Sequence, residues 1–420
     1  MPDAQPPRLD TVIIGGGIAA LWLLDELRRL GHRVVLIERK ALGSGQTIGA
    51  QGIIHGGLKY TLAGMLTGSA EQIREMPELW RACLAGRREP DLSAVPIRAP
   101  FCYLWRTSAL SGRFGMVGAR AGLRVAPQTL PPEAWPPLLA GVPGGVLKLD
   151  EQVLGCGGLV SVLADRNAGR LIRGDVSGFR AETRDTIQVE VRLDDHRTLT
   201  LHTGHLVLAA GGGNAALRQM AGLEPGMQRR PLHMSMVRGP ADHPLPVLNG
   251  HCVDGKKTRV TITTDHDLEG RPVWTVGGQV SEEGVERDEA RQDEVVRREL
   301  EHVLPGLRPG GVCAGLLASA EFGSWRVDRA EPQTRGGLRP EDAWARAEGG
   351  AWGGRLITAW PTKLALAPRL AEQVVAMVGP SATPDQQAAA QATSAAIESV
   401  PAPEVAPHFW DVAGGVVWRR

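Results

Sequence analysis

Gly15, Gly17 and Ala20 make a Gly-x-Gly-x-x-Ala pattern near the start of the chain. In such a pattern the first glycine permits a tight turn and the second lets backbone N–H groups approach a pyrophosphate. The alanine lets a helix pack closely on the strand before it. The amides of Ile18 and Ala19 then lie at the positive end of that helix, where phosphate oxygens are favoured. Glu38 stands 21 positions after Gly17, at the end of a second apolar run and just before Arg39. A carboxylate there can accept hydrogen bonds from ribose hydroxyls. The chemistry implied is dinucleotide binding.

These residues need elements in a particular order. Thr11–Ile14 is β-branched and apolar, which predicts a buried parallel strand. Ile18–Leu30 carries apolar residues on one face, with Asp25, Glu26, Arg28 and Arg29 largely on the other, and stops at Gly31, predicting an amphipathic helix. Arg33–Glu38 completes a βαβ opening. Helices are expected at Gly68–Leu84, Leu159–Ala168, Arg287–Val303 and about Leu366–Val378. Ile97–Trp105 and Gly145–Leu149 read as strands of another layer, and Leu171–Phe179 as a strand returning to the first sheet. Thr186–Leu193 and Arg197–Thr203 alternate like a hairpin. Alternating runs between Arg230 and Gly278 suit an antiparallel sheet. Residues 379–406 are rich in Ala, Pro, Ser and Gln and read as a mobile tail or linker.

The fold class expected is α/β: a Rossmann-like cofactor domain (10–85, 145–225 and 328–378) interleaved with an antiparallel-sheet substrate domain (86–144 and 226–327), then a tail (379–420). Three later segments favour FAD over NAD. Leu206–Gly213 is an apolar strand ending in a small-residue turn at Ala210 and Gly211. Gly174–Gly178, with Val176 at its centre, sits where FAD enzymes place a backbone strand against adenine. Leu356–Pro368 reads as a late strand–turn–helix, which in FAD enzymes returns to the flavin ring.

With these segments in hand, the chain resembles the D-amino-acid-oxidase-type superfamily, most of all the FAD-dependent glycerol-3-phosphate dehydrogenases and L-2-hydroxyglutarate oxidases. Ile54-His-Gly-Gly-Leu-Lys-Tyr60 is similar to that family's stretch beside the flavin, which also brings in Gln51 and Gly52. Thr362-Lys-Leu364 and Arg369-Leu-Ala-Glu372 are similar to its C-terminal signature. Arg329 and Arg335 fall where the family carries two substrate-facing arginines. The resemblance spans most of residues 10–378 and implies non-covalent FAD, hydride transfer to flavin and a small anionic substrate.

Oxidising an alcohol carbon requires loss of the hydroxyl proton, and His55 is the expected base. Arg329 and Arg335 would clamp a carboxylate or phosphate. Lys59 and Lys363 would add point charges, and a cation near the ring stabilises reduced flavin. The expected catalytic set is therefore His55, Lys363 and Arg329, with Lys59, Arg329 and Arg335 binding substrate. His233, His251 and His266 are read as structural. Two other readings stay open: an amine or amino-acid oxidase of the same superfamily, and a flavoprotein subunit of a larger complex. The electron acceptor (oxygen, quinone or a redox protein) and the oligomeric state are not specified.

Bulk properties fit this reading. The chain has 420 residues, enough for two domains, with 43% hydrophobic and 22% charged residues. A net charge of +1 and 4% aromatics argue against a nucleic-acid partner. The five cysteines contain no CxxC pair, so no metal site or disulfide framework is expected. No apolar run reaches the roughly 20 residues of a membrane span. A cytoplasmic protein is expected, with peripheral membrane contact left open.

Overall fold

The structure is a computed structural model that describes residues 8–56, 68–108, 127–255, 257–338, 340, 342–381, 393, 397 and 400–420. The chain opens with β1 (Arg8–Ile14), α1 (Ile18–Arg29) and β2 (Val34–Glu38), followed by α2 (Gly68–Leu84), β3 (Ile97–Ala99), β4 (Cys102–Trp105) and β5 (Gln128–Leu130). Next come β6 (Val146–Leu149), β7 (Val153–Leu154), α3 (Cys156–Arg166), β8 (Leu171–Arg173), β9 (Asp175–Thr183), β10 (Thr186–Arg192), β11 (Thr198–Leu208) and α4 (Asn214–Met220). The second half holds β12 (Met227–Arg238), β13 (Gly250–Asp254), β14 (Lys257–His266), β15 (Pro272–Gly277), α5 (Gln279–Glu282), α6 (Glu289–Val303) and α7 (Leu316–Ser319). It ends with β16 (Glu321–Pro332), β17 (Trp344–Glu348), β18 (Leu356–Trp360) and α8 (Ala367–Val378).

The first sheet runs β17-β18-β11-β1-β2-β8, with β10 on β11 and β9 on β10. Its centre is parallel: Ile13 pairs with Leu36 on one side and with Val207 on the other. Parallel strands are buried on both faces, and Val12, Ile13, Val35, Leu36, Leu206 and Val207 have no exposed surface. The sequence suggests separate strands at 197–203 and 206–210. The structure joins them into β11, because one extended run pairs β10 antiparallel and β1 parallel.

The second sheet runs β16-β12-β15-β14-β13-β4-β6-β5. It is antiparallel except where β4 meets β13. Its core includes Trp105, Trp274 and Phe322, closed by Val296 and Leu300 of α6. Asp288 caps α6 by accepting from Arg291 N at 2.7 Å.

Two local expectations change. Asp25 does not lie on a solvated helix face: its side chain is fully buried among Arg28, Arg29 and Arg166, with N–O distances of 2.9, 3.1 and 3.0 Å. The C-terminal stretch is not loose over its described part. Leu42 N donates to Glu404 O at 2.7 Å and Ala406 N to Leu42 O at 2.9 Å, against the first sheet's loops. Phe322 and Arg419 exchange both backbone bonds at the edge of the second sheet, and Arg419 Nε reaches Asp293 at 2.7 Å. Backbone hydrogen bonds hold this strap together with apolar contacts, Val405 packing on the first core and Phe409 on Trp325.

Burial alone would raise the Asp25 pKa, but hydrogen bonds from Arg166 and Arg28 and their charges overcome it and lower the pKa. A depressed carboxylate contributes stability that is present above its unfolded pKa and lost as pH falls through the folded value. Asp25→Ala is expected to lower urea stability by about 3 kcal/mol at pH 7, with the difference from the parent shrinking below about pH 4.

Candidate active site

The site begins where β1 ends. Gly15 has φ +114°, and a Cβ there would lie 2.6 Å from both Ala209 O and Ala210 Cα. Gly15 N donates to Ile37 O at 2.8 Å, and Ala209 N to Ile14 O at 2.9 Å. The ends of β1, β2 and β11 are thereby drawn into one crowded turn, which brings Ala210 and Gly211 beside the glycines. Gly211 O accepts from Trp360 Nε1 at 3.1 Å, tying in β18.

Glu38 reaches across this turn and accepts from Gly16 N at 2.7 Å and Lys40 N at 2.8 Å. Arg39 beside it is exposed. Gly17 supplies no capping side chain to α1; Thr47 Oγ1 instead accepts from Ile18 N at 3.1 Å. Ala19 follows, buried, in the first turn of α1. Val176 is buried on β9 opposite Val191, and Gly174 N donates to Glu38 O at 3.1 Å. The strand expected near adenine therefore adjoins the terminal acid.

Past α1 lies a cavity of about 270 Å³ between the carboxyl end of the first sheet and the second sheet. Ile18, Gln51, Gly52, His55, Arg329, Thr362, Lys363 and Leu364, all expected from the sequence, line it. Leu232, Met234 and Val253 supply an apolar wall.

The loop carrying His55 is fixed from both sides. Gly52 has φ +70°, and a Cβ there would meet Leu154 O at 2.1 Å. Ile53 bridges Val153, and Ile54 N donates to Gln152 O at 2.9 Å. Gln51 Nε2 donates to Thr261 O and Thr275 O, both at 2.9 Å. Its amide hydrogens therefore anchor the loop to the second sheet. Arg329 comes from β16. Lys363 follows Thr362, whose φ of +61° is uncommon for a residue with a side chain. Thr362 Oγ1 holds this bend by donating to Asp342 O at 3.1 Å, and Trp80 Nε1 donates to Ala365 O at 3.0 Å.

Arg335 does not join the site. It is exposed on a turn at 335–337, beyond the end of β16. It lies six positions after Arg329, and extended chain covers about 3.3 Å per residue, so the second arginine is carried away from the cavity. Lys59 lies outside the described residues.

Two residues not expected from the sequence complete the cavity. Glu151 and His251 each have 3% exposure. Glu151 Oε2 is 3.2 Å from His251 Nε2 and 3.6 Å from His55 Nδ1, while its Oε1 accepts from Gly56 N at 2.9 Å. Burial pushes the Glu151 pKa up, but hydrogen bonds from His251 and His55 outweigh it and hold the carboxyl well below the usual carboxylate range. A single histidine in an alternating strand reads as structural, so His251 carries no signal of its own in the sequence. Nothing local marks Glu151, whose role comes from a loop contact 95 residues from Gly56. His233 is structural as expected, bonded to Gly284 O and Ser324 Oγ.

The donor set suits a dinucleotide cofactor with a redox-active ring. A glycine cradle closed to side chains meets a helix start, an acid lies at the second strand's end, and a mixed polar–apolar cavity follows. Comparisons agree. The model of the FAD dependent oxidoreductase (DAO) family matches residues 10–345. The chain is similar to a probable FAD-dependent oxidoreductase of Pseudomonas aeruginosa, 39% identical over 418 residues, covering 98% of this chain and 100% of the relative. The crystal structure of that protein superposes with TM-score 0.76 at 36% identity, over 97% of this chain and 98% of the other. Two more distant structures share the fold. Glycine oxidase from Geobacillus kaustophilus has TM-score 0.62 and 20% identity, over 90% of this chain and 96% of the other. The dithionite-reduced L-α-glycerophosphate oxidase from Mycoplasma pneumoniae, with FAD bound, has TM-score 0.63 and 15% identity, over 90% and 98%.

Gly17 separates folding from cofactor binding. Its φ is −78° and a Cβ would meet only Thr47 Oγ1, at 3.4 Å. Gly17→Ala is expected to change unfolding free energy by less than about 1 kcal/mol, yet to weaken FAD binding by about tenfold or more, because the backbone must approach a pyrophosphate. Titration of the apoprotein with FAD, followed by flavin fluorescence, reads this. Unchanged affinity would place the pyrophosphate elsewhere.

Proposed function

Since the chain belongs to the FAD dependent oxidoreductase family, we propose that it oxidises a small anionic hydroxy compound, a 2-hydroxy acid or a polyol phosphate. The observation carrying this reading is the convergence of one imidazole, His55, and two cationic side chains, Arg329 and Lys363, on a single cavity. FAD, when bound, accepts the hydride from the substrate carbon. The residues of the chain do the rest.

Arg329 offers a planar fork of donors that matches a carboxylate or phosphate, and Lys363 adds a compact charge. Together they hold the anionic end of the substrate and favour the build-up of negative charge at the reacting centre. His55 takes the hydroxyl proton, which must leave as the carbon–oxygen bond gains order. The apolar wall of Leu232, Met234 and Val253 faces the rest of the substrate and limits its size and polarity. Residues 51, 52, 362 and 364 would frame the ring of the cofactor, while Gly15–Ala19, Glu38, Val176, Ala210 and Gly211 would hold its dinucleotide part, without a covalent link. Reoxidation needs an external acceptor, either oxygen, a quinone or a redox protein.

The structural relatives named for glycine and L-α-glycerophosphate show that related folds serve amine and alcohol oxidation, so the substrate panel must contain both classes. The test is anaerobic bleaching of the visible flavin band by 2-hydroxy acids, glycerol 3-phosphate and amino acids. Bleaching by a hydroxy compound is expected, and bleaching by amino acids alone would overturn the reading. Arg329→Met should weaken binding of the reactive anion by roughly 10- to 100-fold, the worth of a charge-assisted hydrogen bond, with a smaller effect on the rate at saturation.

A further inference from the structure

Glu151 lies between β6 and β7, buried, where the loop carrying His55 crosses the end of the second sheet. A buried carboxylate needs hydrogen-bond donors on both oxygens. Gly56 N serves Oε1 at 2.9 Å, while Oε2 faces His251 Nε2 at 3.2 Å and His55 Nδ1 at 3.6 Å. The two rings are tilted by 36° with centroids 5.7 Å apart, so they approach the carboxylate from separate directions. His251 Nδ1 is 2.9 Å from Thr261 Oγ1. Thr261 can donate there, which leaves Nε2–H to donate to Glu151. His55 presents Nδ1 to the same oxygen at 3.6 Å, and the carboxylate favours the ring proton on that nitrogen. Which ring nitrogen carries the proton is set by the bonds the ring makes.

We propose that Glu151 is the positioning residue of this site: it holds His55 in the Nδ1–H tautomer, so that Nε2 is the basic nitrogen, and His251 aims Glu151 from the second sheet. The inference rests on the reading of His55 as proton acceptor and names what makes it one. The chemistry resembles any imidazole base backed by a carboxylate: the anion orients the ring and stabilises the imidazolium formed on proton uptake. Without it, the preference for the Nδ1–H tautomer would be lost.

The charge balance around the ring gives the sign of the effect. His55 shares the cavity with Glu151 from the β6–β7 stretch, His251 from β13, Glu282 from α5, Arg329 from β16 and Lys363 from the turn after β18. Glu282 is exposed and therefore screened. Glu151 is a buried carboxylate against the His55 ring, in the cavity that Arg329 and Lys363 also line. Removing it leaves the two cations, which oppose protonation of His55.

The test uses FAD-loaded protein with nitrogen-15-labelled histidine. Ring-nitrogen NMR should show His55 as the Nδ1–H tautomer in the parent. In Glu151→Gln its titration midpoint should fall by about one pH unit or more, and the tautomer should become mixed. With a reducing substrate, the pH dependence of the flavin-reduction rate should shift acidward in the variant. Its plateau should drop by about 100-fold, the usual worth of a positioned base, while the substrate Kd changes by less than about threefold. If Glu151→Gln does not fold, His251→Gln serves, with a smaller shift in the same direction. A parent His55 in the Nε2–H form, or a midpoint unmoved in the variants, would overturn the proposal. The NMR readout needs no substrate. Correct tautomer and shift without reduction by any hydroxy compound would therefore refute the proposed reaction and leave this inference standing.

Discussion

A Cβ atom at Gly15 would sit 2.6 Å from the backbone of Ala209 and Ala210, and the rest of the site depends on that closeness. It can be reached only because β1 lies between β2 and β11, parallel to both, so that three carboxyl ends arrive together. Parallel packing has a cost in sequence: the strands must be apolar on both faces and the turn must be free of side chains. In return, a helix start, the Glu38 carboxylate and the Ala210–Gly211 turn meet at one edge. The cavity opens beyond that edge, against the second sheet.

The second sheet then supplies what the first cannot. β16 delivers Arg329, β13 delivers His251, and the carbonyls of Thr261 and Thr275 hold Gln51. The loop at 51–56 is thus the mechanical joint of the molecule, strapped to β7 by Gly52 and to the second sheet by Gln51. Its outer side is closed by the C-terminal stretch. Phe409 packs against Trp325 with ring centroids 4.1 Å apart and planes tilted by 36°, and the Trp325 ring would lie within 2.0 Å of a Cβ at Gly49. Residues far apart in sequence therefore set where His55 points.

How much of this was legible follows the range of the interactions. The βαβ opening is local: a period-3.6 apolar face, a glycine turn and a terminal acid announce themselves within 30 residues. Arg329, Thr362 and Lys363 were legible only through a resemblance, because nothing in their neighbourhood says which cavity they face. Arg335 failed because a sequence pattern gives the order of two arginines but not where a strand ends. Glu151 and His251 were illegible for a deeper reason. Their role arises where a loop crosses a sheet, and a lone buried carboxylate has no sequence signature until its donors are known. The strap at 400–420 misled for a related reason. Composition does not show which partners a segment meets: Leu42 and Phe322 hold it by backbone bonds, Asp293 by Arg419, and Trp325 by Phe409.

The central claim is that the cavity seats an anionic substrate between His55 and the two cations. The most direct test is a crystal structure of the FAD-loaded protein with tartronate, a hydroxy dicarboxylate, bound after flavin reduction has been blocked by lowering the temperature. The account predicts a carboxylate of the ligand on Arg329 and Lys363 and its hydroxyl within hydrogen-bond distance of the His55 ring. A bound ligand whose hydroxyl faces away from His55, or a cavity in which the cofactor covers both cations and leaves them no substrate, would contradict it.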